Sequence, residues 1–121
     1  MKKINLIVVD DNAELVGMIK EYFSSHAVID VVGTAKNGEE GMELIRNVSN
    51  YDVLLLDLIM PKMDGVAVLE EMRKESILKR VIVLTSYNTQ DMIRKVSELG
   101  VNYFMLKPFE LSFLEKKIME L

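Results

Sequence analysis

Five times along the chain, a short apolar run gives way to a segment whose apolar residues recur at helical spacing. No other feature constrains the fold as much. Ile4 to Val9 is almost continuously apolar and stops abruptly at Asp10-Asp11-Asn12, as a strand buried on both faces does. Leu15, Met18, Ile19, Tyr22 and Phe23 then predict a helix over Ala13 to Phe23, with Asp11 or Asn12 able to cap it. The pattern repeats: Ile29 to Thr34 reads as extended, Lys36-Asn37-Gly38 as a turn, and Met42, Leu44, Ile45 and Val48 as one face of a second helix. Strands follow at Asp52 to Asp57, Val81 to Thr85 and Asn102 to Leu106. Their helices run from Gly65 to Arg73, from Gln90 to Leu99 where Gly100 closes the turn, and from Glu110 to Glu120. Five such units imply one α/β domain, a doubly wound sheet of five parallel strands with right-handed crossovers and helices on both faces. In doubly wound sheets of this size the strand order 2-1-3-4-5 leaves a ligand crevice beyond the carboxyl ends of strands one and three.

Composition narrows the chemistry. The 121 residues are half hydrophobic, enough for one domain with a real core. Apolar runs such as Val53 to Leu56 fall far short of the ~20 residues of a membrane helix, and no signal segment opens the chain, so a cytoplasmic protein without membrane contact is expected. Without cysteine there are no disulfides and no thiolate metal sites, so any metal must sit on oxygen. The net charge is −4 and the 15 basic residues are scattered, which gives no stripe for a nucleic-acid backbone. The nine methionines lie mostly at helical spacing or in apolar runs and read as core filling.

The strand ends carry the signal. Asp10 and Asp11 follow the first strand, Asp57 closes the third, Thr85 the fourth, and Lys107 stands just past the fifth. Any one of them alone could be a turn former, a cap or a solvated surface residue. Together, at the ends the topology selects, they predict a site. Three carboxylates brought together would raise one another's pKa unless a cation compensates them. Oxygen-only ligation suits Mg²⁺, with Mn²⁺ able to substitute. A carboxylate beside such a cation is a competent nucleophile toward phosphorus, which makes Asp57 the candidate acceptor. Thr85 and Lys107 could hold the phosphoryl oxygens. No glycine-rich phosphate loop is present, so a nucleoside triphosphate is not indicated as donor.

Four segments in this order and spacing resemble the receiver domains of bacterial response regulators along the whole chain: Val9-Asp10-Asp11-Asn12, Asp57-Leu58-Ile59-Met60-Pro61-Lys62-Met63-Asp64-Gly65, Leu84-Thr85-Ser86 and Lys107-Pro108-Phe109. Asp64 to Glu70 and Tyr103 to Phe109 further resemble receivers of the sporulation-initiation type. The resemblance implies a flavodoxin-like, CheY-like fold and a two-component phosphorelay receiver over residues 1–121, with no effector domain in this chain. It implies a signalling domain rather than an enzyme, one that assists its own phosphorylation and dephosphorylation. Asp57 would be phosphorylated by a sensor histidine kinase or histidine phosphotransfer protein. Asp11 and Asp57 would ligate Mg²⁺ directly, Asp10 mostly through water, and Ile59 through its carbonyl. Thr85, Lys107 and the Ser86 backbone N–H would contact the phosphoryl group. Thr85 and Phe104 would form the switch, Phe104 standing where many relatives carry tyrosine, and Lys107-Pro108 would be a cis peptide. Output would pass to a downstream effector domain or protein, with homodimerisation open.

Four residues complete the reading. Asp64 is placed to cap the third helix, His26 reads as a helix-end residue rather than a phosphate carrier, and Ile59 with Tyr87 flanks the site and could hinder water. Two competing classes remain, a Mg²⁺-dependent phosphohydrolase and a pseudo-receiver or flavin-binding module. The first would turn over phosphate esters, and the second would not require the acids, Thr85 and Lys107 together.

Overall fold

The computed structural model describes residues 2–86 and 89–121. Strands β1 (Ile4–Val9), β2 (Ile29–Ala35), β3 (Val53–Asp57), β4 (Arg80–Thr85) and β5 (Tyr103–Leu106) alternate with helices α1 (Ala13–Phe23), α2 (Gly38–Asn47), α3 (Gly65–Lys74), α4 (Gln90–Glu98) and α5 (Leu111–Glu120). All neighbouring strands are parallel and the sheet order is β2-β1-β3-β4-β5. The order in which successive strands are added reverses between β1 and β3, where the crevice rule places a ligand. Among the described residues no helix is long and apolar enough to cross a membrane.

Strand alternation divides the core into two layers. Leu6, Val8, Leu55, Ile82 and Leu84 face α1 and α5, packing on Ile19, Phe23, Leu114 and Ile118. Ile7, Val9, Leu54, Leu56 and Val83 face the other way, against Met42 and Ile45 of α2, Leu69 and Met72 of α3, and Val96 of α4. Every residue of β3 is buried, so the central strand has no solvent face. That explains its unbroken apolar sequence and why it fixes Asp57 so firmly, each fully buried aliphatic side chain being worth about 1.5–3 kcal/mol.

Element ends differ slightly from the sequence pattern, each for a local reason. Asp52 lies outside β3 because its carboxylate accepts the Asn5 N–H at 2.8 Å. Asn102 lies outside β5, its side-chain oxygen accepting the Val81 N–H at 2.9 Å. Leu99 is the C-cap of α4 and Gly100 follows with a φ of 85°, the left-handed conformation that favours glycine. Glu110 is the N-cap of α5 but makes no side-chain capping bond. Of the two candidates, Asn12 caps α1, accepting the Leu15 N–H at 3.1 Å.

His26 is a structural clasp. Its Nδ1 accepts the N–H groups of Val28 and Ile29 at 3.0 and 2.9 Å, which leaves the ring proton on Nε2, 2.8 Å from Glu115 Oε2. The Tyr22 hydroxyl donates to the other Glu115 oxygen at 2.6 Å, so one carboxylate ties α1 to α5. Hydrogen bonding to Tyr22 and then to His26 holds the Glu115 carboxyl below its usual range.

Candidate functional site

Three elements deliver the acids to one place. Backbone pairing runs β1 alongside β3 with Val9 opposite Leu56, so Asp10 and Asp57 leave the sheet side by side. Asp11 opens the turn into α1. One carboxylate oxygen from each of Asp10, Asp11 and Asp57 lies within 4.8 Å of the others. Asp10 and Asp57 are buried and Asp11 is exposed, so the cluster opens to solvent on the Asp11 side.

Lys107 completes the charge balance. Its peptide bond to Pro108 is cis, and its N–H pairs with the Thr85 carbonyl at 2.8 Å, which extends the β4–β5 pairing to the edge of the site. The ammonium donates to Asp10 Oδ2 at 2.7 Å and lies 3.6 Å from Asp57 Oδ1. The other Asp10 oxygen accepts the Asn12 N–H at 2.9 Å. Asp10 therefore has both oxygens engaged and serves as the anchor of the lysine. Burial pushes the Asp57 carboxyl up from 3.8 to about 6, Asp10 adds to the rise, Lys107 opposes it and Asp11 adds a further increment. One ammonium does not compensate three clustered carboxylates, and a divalent cation held on oxygen fits that deficit.

The loop after Asp57 is held close to the sheet. The Gly65 N–H donates to the Leu58 carbonyl at 2.8 Å. A Cβ at Gly65 would run into the Asp57 carbonyl and Leu58 Cα, so only glycine lets α3 start this near the strand. Asp64 caps α3 by accepting the Ala67 N–H at 2.8 Å. Lys62 stands at a φ of 67° in a tight turn where the Met63 N–H reaches the Pro61 carbonyl at 2.8 Å. Ile59, two residues after Asp57, is half exposed in this loop rather than buried in the core. Tyr87 lies outside the described residues.

Thr85 is fully buried at the end of β4. By strand alternation it shares a sheet face with Val83, whose register partner on β5 is Phe104. Phe104 is half-buried against the α2–α4 layer. Tyr103 faces the other layer, packing edge-on to Phe113 with centroids 6.4 Å apart and Lys117 Nζ 4.7 Å above its ring. Thus Asp10, Asp11, Asp57 and Lys107 form one contact group, while Thr85 and Phe104 adjoin it along β4 and β5. The bond from the Asn12 backbone N–H to Asp10 is legible only in retrospect, as the turn an aspartate side chain makes with the backbone two residues on.

Comparison with known proteins agrees with this geometry. Residues 6–119 match the response regulator receiver domain family. The receiver domain of the Francisella response regulator 1452 is 30% identical, with a TM-score of 0.86 over 98% of this chain and 95% of that one. A response regulator receiver protein from Pseudomonas putida is 27% identical, with a TM-score of 0.89 over 98% of each. A chain of the CheX–CheY–BeF3–Mg²⁺ complex from Borrelia burgdorferi is 26% identical, with a TM-score of 0.86 over 97% of this chain and 87% of that one. Receiver domains are signalling domains of two-component systems that accept a phosphoryl group on aspartate, bind Mg²⁺ at an acidic site and interact with histidine kinases and effector domains. By family match, strand order and acidic cluster alike, this chain belongs to the response regulator receiver domain family.

Proposed function

We propose that Asp57 is the phosphoryl acceptor, loaded from a phosphohistidine on a sensor histidine kinase or histidine phosphotransfer protein. The observation that carries this reading is the buried Asp57 carboxyl, 3.6 Å from an ammonium anchored on Asp10. A carboxylate oxygen forms the new O–P bond as the N–P bond of the donor breaks and the imidazole leaves with the electron pair. Lys107 holds a charge where the phosphoryl oxygens arrive, and its anchor on Asp10 keeps it from neutralising Asp57 outright. The Thr85 hydroxyl and Ser86 N–H bind the remaining oxygens. When bound by Asp11 and Asp57, by Asp10 through water and by the Ile59 carbonyl, Mg²⁺ supplies neutralisation of the charge that develops during transfer, and Mn²⁺ substitutes for it.

Output is a change of surface. Phosphorylation adds about −1.5 to −2 charges, Thr85 is drawn toward them, and Phe104 follows into the space it leaves. Phenylalanine has no phenolic hydroxyl, so the change is one of packing. The altered surface around α4, β5 and α5 then engages an effector domain or protein, or a second copy of the receiver. The domain acts in the cytoplasm, does not itself bind nucleic acid, and assists removal of its own phosphoryl group. Resemblance over Asp64 to Glu70 and Tyr103 to Phe109 supports a relay of the sporulation-initiation type.

Incubation with acetyl phosphate, with and without Mg²⁺, followed by intact mass measurement of the parent and Asp57→Asn proteins, tests the reading. A single phosphoryl adduct that needs Mg²⁺ and vanishes in the variant is expected. A folded parent that takes up no phosphoryl group would favour the pseudo-receiver alternative.

A further inference from the structure

The loop from Leu58 to Met63 leaves β3 directly after Asp57 and is tied down at both ends. At the near end the Leu58 side chain is buried and its carbonyl accepts the Gly65 N–H at 2.8 Å. At the far end the Met63 carbonyl accepts the N–H of Gly38, the first residue of α2, at 3.0 Å. Among the described residues this is the only backbone hydrogen bond between residues 59–63 and another element. Slack between Met63 and Ile59 is small. The Met63 N–H closes a tight turn on the Pro61 carbonyl, Lys62 holds a φ of 67°, and Met60 is buried in the core layer against which Met63 also packs.

Only glycine fits at position 38. A Cβ there would run into the Met63 carbonyl oxygen and stand 2.7 Å from the Met63 carbonyl carbon and Cβ. The obstacle is mostly backbone, so it yields only if the loop moves. The helix is itself fixed. Asn37 is buried and caps α2 by accepting the Glu40 N–H at 2.9 Å. Gly41 lies against β1, where a Cβ would stand 2.8 Å from Val9 Cγ1, and Val9 immediately precedes Asp10. The first turn of α2 thus braces both strand ends that deliver the acids, β1 through Gly41 and the loop after β3 through Gly38.

We infer that Gly38 is a positioning residue for the metal site: its N–H and its missing side chain set the place of the loop that carries the Ile59 carbonyl. The inference rests on the proposed reading of that carbonyl as a Mg²⁺ ligand. It adds a residue of α2 that acts through the loop and touches neither the metal nor the phosphoryl group.

The test compares the Mg²⁺ affinities of the unphosphorylated full chain and its variants by amide NMR titration. Gly38→Ala should bind Mg²⁺ about tenfold more weakly or worse, the loss usual when a group supporting a metal ligand is displaced. Alanine is the better helix former, so helix propensity does not account for such a loss. Ile118→Val thins the core on the opposite face of the sheet and should lower stability while keeping the parent affinity, which separates positioning from mere loss of stability. A measurement on the parent covers the case in which Gly38→Ala does not fold. Coupling is reciprocal, so saturating Mg²⁺ should slow hydrogen exchange at the Gly38 amide by about the same tenfold. The Ser24 amide, bonded to the Glu21 carbonyl at the end of α1, should keep its rate. A folded Gly38→Ala protein with parent affinity, or a Gly38 amide whose exchange Mg²⁺ leaves unchanged, would overturn the inference. If the parent still binds Mg²⁺ and takes up its phosphoryl group, the proposed function survives that result; a parent that does neither overturns both.

Discussion

Replacing Asp57 by asparagine should make the metal-free protein more stable at neutral pH and should change the shape of its pH dependence. The side chain is buried and its carboxyl is raised from 3.8 to about 6, by burial first and then by Asp10, with Lys107 opposing. Because the folded-state value lies above the unfolded one, the native protein binds more protons than the unfolded chain between them. The favourable contribution of this group, present at low pH, is therefore lost as pH rises through that window and is gone above about 6. At about 1.4 kcal/mol per tenfold, the ionised side chain costs the fold about 3 kcal/mol at neutral pH. Asparagine still buries an amide and leaves Lys107 with Asp10 alone, so a net gain of about 1–3 kcal/mol is expected. That corresponds to a melting temperature higher by roughly 3–12 °C for a domain of this size. Urea unfolding of both proteins in chelator, at several pH values from about 4 to 8, gives the difference directly. Carboxyls that titrate alike in both proteins, among them Glu75, held at about 2 chiefly by hydrogen bonds from Arg46, cancel in that difference. The gain should grow as pH rises through the window and then level off. Adding Mg²⁺ should shrink it, since binding to the native parent stabilises that protein alone. A variant less stable than the parent at neutral pH, or a difference that does not change with pH, would refute the reasoning.

Lys107→Ala leaves Asp10 and Asp57 without their ammonium, so the Asp57 carboxyl should titrate at higher pH than in the parent, as read by carbon-13 NMR, and phosphorylation by acetyl phosphate should slow at least tenfold. Thr85→Ala should be phosphorylated at nearly the parent rate but fail to change its dimerisation or partner binding; equal responses of the two phosphoproteins would refute the switch. Ile59→Asn replaces the half-exposed aliphatic side chain beside the site with one that can orient water, and loss of phosphate by mass measurement should quicken several-fold. Gly65→Ala places a Cβ against the Asp57 carbonyl and should cost about 2 kcal/mol or more in urea unfolding, with slowed phosphorylation.

How far the sequence reached is clearest at particular residues. Burial leaves its mark on neighbouring residues of one chain, so Leu54, Leu55 and Leu56 announce a strand covered on both faces, and Asp57 announces where the cover ends. Right-handed crossovers then leave little freedom in the strand order, and the order names the ends that meet. The acids, Thr85 and Lys107 were legible on that ground, whereas Phe104 was marked only by the resemblance to receiver domains.

Pairings between side chains far apart in sequence were not legible, because periodicity carries no information about them. Lys107 rests 2.7 Å from Asp10, 97 positions away in the chain, and 3.6 Å from Asp57, a choice set by where β1 and β5 end relative to β3. Glu115 takes both Tyr22 and His26 only because α1 and α5 share a face of the sheet. Tyr51 looks like any aromatic before a strand, and only packing shows that its hydroxyl is sealed in without a partner among the described residues. The sequence by itself determined the elements, their order and the pole at which chemistry gathers, since these follow from local burial and chain handedness. Tertiary structure alone decided which charges touch and how acidic Asp57 is, since both depend on distance and desolvation that exist only once the chain is packed.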